Sequence, residues 1–145
     1  MTLTISDLCD YFDRMGWHIQ KRDTQTIFCL FAGDQRDFLL CVYLDEQWAS
    51  FSITDYLPKL EPGNYDKVEI ELLESNSQMR LVKFSLLEGG QIVLSADLPV
   101  LINVNFDLFT VYVDAITFYA NSLHGKLFKL ITGKDYAIQE KASDE

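Results

Sequence analysis

Two histidines, three cysteines and a surplus of carboxylates are the residues of this chain that could bind a metal, move a proton or attack a substrate. None stands in a spacing that builds such a site. His18 follows Trp17 on a predicted strand, and His124 lies far along the chain, each without a second ligand at the short spacing a zinc site uses. They read as partly exposed structural histidines. Cys9, Cys29 and Cys41 form no C-x-x-C pair and are expected to be buried structural thiols. Asp107 and Asp114 fall two turns apart on one predicted helix, too far to share a proton as a catalytic carboxylate pair does. Gly125-Lys126-Leu127 and Gly133-Lys134-Asp135 lack the hydroxyl residue after Lys and the upstream Gly of a phosphate-cradling loop. G-x-S-x-G, H-E-x-x-H and G-x-G-x-x-G are absent from the sequence. The expectation is a protein that is not an enzyme, with no catalytic residue, no metal and no cofactor.

Composition points the same way. The chain has 145 residues, 48% of them hydrophobic and 23% charged, with only 7 Gly and 3 Pro, which suits one ordinary globular domain. A chain of this size buries roughly 68–70% of its unfolded surface and needs no disulfide or metal staple. Against 22 Asp and Glu stand 12 Lys and Arg, a net charge of -10 that repels a phosphate backbone or an anionic membrane. Nucleic acid and membrane are therefore excluded as expected partners. The N-terminus, Met1-Thr2-Leu3-Thr4-Ile5 followed by Asp7, Asp10 and Asp13, has no secretory pattern. The apolar stretches Leu98 to Phe106 and Ala115 to Leu123 fall short of the roughly 20 residues that cross a bilayer. A cytoplasmic location is expected.

The elements follow from spacing. Thr4 and Asp7 resemble a capping box, and Leu8, Phe12 and Met15 recur at helical spacing before Gly16, which predicts a helix over 5–15. Trp17 to Arg22, Thr26 to Ala32, Asp37 to Leu44 and Trp48 to Thr54 are rich in aromatic and β-branched residues and predict a four-stranded meander. Pro58 and Glu61-Pro62-Gly63-Asn64 break the chain, after which Tyr65, Val68, Leu72 and Leu73 share one face of a second helix. The acidic run Asp66, Glu69, Glu71 and Glu74 reads as its solvated side. Met79 to Leu87 and Gln91 to Asp97 predict a hairpin. A three-residue loop Glu88 to Gly90, opposing Phe84 to Leu94, Leu86 to Ile92 and Val82 to Ala96, keeps one of its faces apolar. Asn105 and Gly133 bracket a long last helix, whose stripe Asp107, Thr110, Asp114, Thr117, Asn121 and His124 is narrow, so most of its circumference must be covered. Residues 1–133 form a single domain in this reading, and 134–145 a charged, frayed tail.

The central hairpin carries the functional signal. A two-residue turn at Asp34-Gln35 puts Ile27, Cys29, Phe31, Phe38, Leu40 and Val42 on one face, and Phe28, Leu30, Leu39, Cys41 and Tyr43 on the other. The same register points Cys29 and Cys41 to opposite faces, whereas a three-residue loop would bring them together. Both faces are apolar, and both want cover. For the fourth strand, a two-residue Glu46-Gln47 turn sends Phe51 and Ile53 to the side of Val42 and Leu40, and a three-residue turn sends them to the opposite side. Trp48 alternates with Ser50, Ser52 and Thr54 on the more polar face, fit for packing or for partner contact. Trp17 reads as core. The second apolar face is covered either by the chain's own helices or by a second subunit or client segment.

In this order of elements the chain resembles the YbjN-like family of bacterial proteins, itself similar in fold to the class I type III secretion chaperones. The resemblance spans Ile5 to Leu130. It rests on the helix and Gly-aromatic turn over Leu8 to Trp17, on Leu72-Leu73 with Asn76, and on Gln91-Ile92-Val93-Leu94-Ser95-Ala96-Asp97-Leu98-Pro99 leading into the last helix. It implies an α+β two-layer sandwich in the order α-β-β-β-β-α-β-β-α, without an active site. It further implies a regulatory or chaperone-like module that dimerises or holds an extended client segment on apolar patches. Phe28, Leu30, Leu39, Tyr43 and Trp48 are the expected partner-binding residues. The alternative is a small apolar ligand enclosed between that face and the long helix.

Overall fold

The computed structural model of the chain describes residues 3–134. Except for Lys134, the charged tail expected at 134–145 lies outside the described residues. Helix α1 spans Ile5–Arg14, and its start is the capping box read from the sequence: Asp7 N donates to Thr4 Oγ1 (3.1 Å) and Thr4 N to Asp7 Oδ2 (2.9 Å). The strands β1 Ile19–Lys21, β2 Thr26–Ala32, β3 Asp37–Leu44 and β4 Trp48–Ile53 follow. After a 3-10 turn at Pro62–Asn64 come α2 Tyr65–Gln78, β5 Val82–Leu86, β6 Ile92–Pro99 and α3 Phe106–Thr132. The strands form one six-stranded antiparallel sheet in the order β1-β2-β3-β4-β6-β5. The architecture is the α+β arrangement expected. Among the described residues, no helix is long and apolar enough to cross a membrane.

Two strands are shorter than their composition suggests. β1 covers only Ile19–Lys21 because Trp17, whose N–H donates to Phe12 O (2.9 Å), turns inward and packs between Phe12 and Phe31. β5 begins at Val82 because Met79 N still donates to Ser75 O (3.0 Å) at the end of α2.

Each hairpin register has an identifiable cause. β2 and β3 pair as Ile27↔Val42, Cys29↔Leu40 and Leu30↔Leu39, the register of the two-residue Asp34-Gln35 turn. Gly33 is required at its base, since a Cβ there would stand 2.5 Å from the Phe38 ring and 2.6 Å from Arg36 O. The β3–β4 turn, ambiguous in sequence, is the two-residue form, with Val42↔Phe51 and Leu44↔Ala49. Its determinant is Asp45, whose Oδ1 accepts from Gln47 N (2.8 Å) and Trp48 N (2.7 Å), and an Asp that caps its own turn needs no glycine. β5 and β6 pair as Phe84↔Leu94 and Leu86↔Ile92, the three-residue loop that keeps one face apolar.

The helices pack on one side of the sheet. α1 contributes Leu8 and Phe12, α2 Val68 and Leu72, and α3 a single stripe of Phe109, Val113, Ile116, Ala120, His124 and Leu127, over the sheet residues Leu40, Val42, Phe51, Ile53, Leu94 and Ala96. Aromatic side chains knit the layers together, with Phe109 touching Tyr11, Phe12 and Phe51.

Several expectations are corrected here. Leu73 does not join Val68 and Leu72: it is 69% exposed, because α2 rests on β5 and α3 through a narrower stripe. α3 is covered on one face rather than most of its circumference, leaving Val111 and Phe118 in solvent. His124 is not part of a polar stripe or partly exposed but 1% exposed, ringed by Phe38, Tyr56 and Phe128, while His18 is exposed. Of the three thiols only Cys29 is buried; Cys9 and Cys41 are half-buried, and all three are free.

Two contacts yield tests. Burial, with Arg36 adding to it, lowers the His124 pKa to about 4 from its ordinary 6.5. The imidazole is thus held neutral in the folded state while the unfolded chain takes up a proton, so its contribution is present above pH 6.5 and lost as pH falls toward 4. Urea titrations from pH 7.5 to 4 should show the wild type losing on the order of 3 kcal/mol more stability than His124→Phe; parallel losses would refute the assignment. The second contact is Asn76, whose side chain meets the backbone of edge strand β5: Phe84 N donates to Oδ1 (2.7 Å) and Nδ2 donates to Phe84 O (3.1 Å). Asn76→Ala strands both groups and should cost about 1–3 kcal/mol, read from the urea midpoint.

Candidate functional site: the uncovered sheet face

Alternation along each strand sends every second side chain away from the helices. Across this outer face Leu30 stands opposite Leu39, Phe28 opposite Cys41, and Tyr43 opposite Ser50, which is opposite Asp97. Trp48 pairs with Pro99 at one end. Among the described residues, no helix lies over these side chains. Leu30 is 62% exposed, Leu39 47%, Tyr43 43% and Trp48 42%, while Phe28 is half-buried with the Arg22 guanidinium 5.4 Å from its ring centre.

The outer face is graded rather than uniformly apolar. The large side chains lie on β2, β3 and the start of β4, and beyond them the face turns polar through Ser50, Ser52 and Ser95 to Lys83 and Asp97, which pair at 3.8 Å. A face that is apolar at one end and polar at the other is a bounded patch.

The thiols near the patch are poor nucleophiles. Burial pushes the Cys29 thiol up to about 12 on the core side. Burial also raises Cys41 on the outer side, where its hydrogen bond with Ser52 only partly opposes the shift. Neither offers the lowered pKa of a reactive cysteine. The two point to opposite faces, as the hairpin register requires. Among the described residues no three His, Cys, Asp or Glu side chains gather as a metal site.

The sheet separates this face from α3, so the two do not enclose a chamber between them. They meet instead at the free end of β2. β1 pairs with Ile27–Cys29 only, and past its end a cleft of about 630 Å³, open to solvent, is lined by Trp17, His18, Leu30, Asp114, Phe118 and Asn121 among others. Leu30 therefore belongs to both the outer face and the cleft. The sequence places Asp114 on a solvated stripe and Phe118 on the apolar circumference expected to be covered; the structure exposes both. The sequence signal nearest the cleft is Gly16, which follows α1 with a positive φ and lines the cleft.

No protein-family model and no curated protein matches the chain. Solved structures do. A chain of the heterodimeric ExoU–SpcU complex from the type III secretion system of Pseudomonas aeruginosa superposes with a TM-score of 0.60 at 18% identity, over 86% of this chain and 98% of that one. YbjN from E. coli, described as a candidate transcription regulator, superposes with a TM-score of 0.61 at 15% identity, over 85% of this chain and 93% of that one. These superpositions identify the fold as YbjN-like and type III secretion chaperone-like.

Proposed function

We propose that this protein is a non-enzymatic protein-interaction module, chaperone-like or regulatory, working in the bacterial cytoplasm, and that it buries Phe28, Leu30, Leu39, Tyr43 and Trp48 against a protein partner. The observation that carries the reading is the grouping of four large, exposed apolar side chains on a sheet face with no helix of the described residues over it. The fold supports it, since one of the superposed chains comes from a two-protein complex.

Size argues for the kind of partner. The exposed parts of these side chains amount to on the order of 400 Å², which is the scale of a functional patch on a single protein. A stable interface needs about 800 Å² per partner. A second copy docked on this patch alone would be under-buried, whereas an extended client segment laid across β2 and β3 fits its length. Homodimerisation through the same face is the competing outcome.

The test replaces the patch without touching the core. Leu39→Asp and Tyr43→Asp should fold normally by circular dichroism, lose binding of a hydrophobic dye, and abolish cross-linking from a photo-reactive residue placed at Phe28. The same photo-reactive residue at Glu69 on α2 serves as the control. Global unfolding of both variants, or equal cross-linking from the two positions, would refute the proposal, and a cross-linked species of twice the chain mass would identify the homodimer instead.

A further inference from the structure

The cleft at the β2 end has a chemistry of its own. Its aromatic walls are Trp17, half-buried and stacked on Phe31, and Phe118, 64% exposed on α3. Among the described residues Asp114 is the one carboxylate that lines it, and no Lys or Arg does. The ion pairs found within 4.0 Å among the described residues, Lys83–Asp97 and Lys126–Glu71, leave Asp114 out. Asn121, which also lines the cleft, is already committed, accepting from Asp34 N (2.7 Å) and donating to Asp34 Oδ2 (3.1 Å), so it braces the β2–β3 turn.

A carboxylate that shares a cleft with two aromatic walls, on a chain of net charge -10, suits a cation whose stem is apolar. We infer that the cleft receives a lysine or arginine side chain of a bound protein segment, with Asp114 facing the charge and Trp17 and Phe118 flanking the alkyl stem. The inference rests on the client-segment reading above and adds its partner's chemistry. Leu30 makes the surface continuous: a segment whose apolar residues cover Leu39 and Leu30 rounds the end of β2 and delivers its next side chain to the cleft. An acidic anchor is disfavoured there by Asp114, and a second copy of this chain would approach with the same strong negative charge. The 630 Å³ cleft exceeds one side chain and accommodates the backbone that carries it.

The experiment uses the isotope-labelled full chain and short acetylated peptides of alternating Leu and Ser with Lys, Gln or Glu at the centre. Nuclear magnetic resonance follows the Trp17 indole N–H and the Asp114 and Phe118 amides for the cleft, and the Leu39 and Tyr43 amides for the sheet face. The Lys peptide should shift the cleft signals and bind about three- to fivefold more tightly than the Gln peptide, with the Glu peptide weaker still. Asp114→Asn, a change on an exposed helix surface, should erase the preference for Lys over Gln. Cleft signals that ignore the Lys peptide, or a preference that survives Asp114→Asn, overturn the inference. If only Leu39 and Tyr43 move, the cleft assignment fails and the sheet-face reading stands; if only the cleft moves, the sheet-face reading fails and the cation preference of the cleft stands. Silence at both overturns both.

Discussion

A sheet has two faces, and here every helix of the described residues packs on the same one. That constraint governs the molecule. β2 and β3 are apolar on both sides, a pattern usual for strands buried between two layers of helices. Yet α1, α2 and α3 each carry a single buried stripe, and all three stripes converge on the side of Leu40, Phe51 and Leu94. Hydrophobic burial stabilises that side at roughly 1.5–3 kcal/mol for each large side chain removed from water. The same arithmetic applied to Leu30, Leu39, Tyr43 and Trp48 describes free energy still available to association.

The one-sided packing is held in place by bonds from side chains to distant backbone. Tyr56 donates to Ala120 O (2.7 Å), fixing the segment after β4 to the middle of α3. Tyr11 donates to Val104 O (3.2 Å), tying α1 to the loop that enters α3. Asn121 braces the β2–β3 turn. Each satisfies a backbone group or a loop that no strand ladder reaches, and together they orient α3 across the sheet. The phenol of Tyr56 is pushed upward by burial, consistent with a hydroxyl committed as a donor inside the core.

Much of this was legible from spacing alone. The capping box at Thr4, the three-residue loop before Gln91 and the opposing faces of Cys29 and Cys41 follow from local rules of turn chemistry and strand alternation, and the structure agrees with each. The β3–β4 turn is open in sequence because it holds no glycine; Asp45 fixes it through its carboxylate instead. Burial within helices was read least well. Leu73 and Phe118 look like core residues by type, and His124 looks polar, yet tertiary packing places the first two in solvent and the third among rings. Which stripe of a helix is buried depends on its roll against its neighbours, and periodicity does not specify roll when apolar residues nearly encircle the helix.

The pairing of Asn76 with Phe84 has a consequence for how copies of the chain could join. An unpaired border strand invites another chain to extend the sheet, and a fold with two such borders can grow without limit. Here the β5 border is stoppered by an amide that mimics a neighbouring strand, while the β1 border is only three residues long. An amide stopper at one border and a three-residue strand at the other leave little backbone for strand-to-strand joining, so the greasy surface is on display without a long unpaired edge beside it.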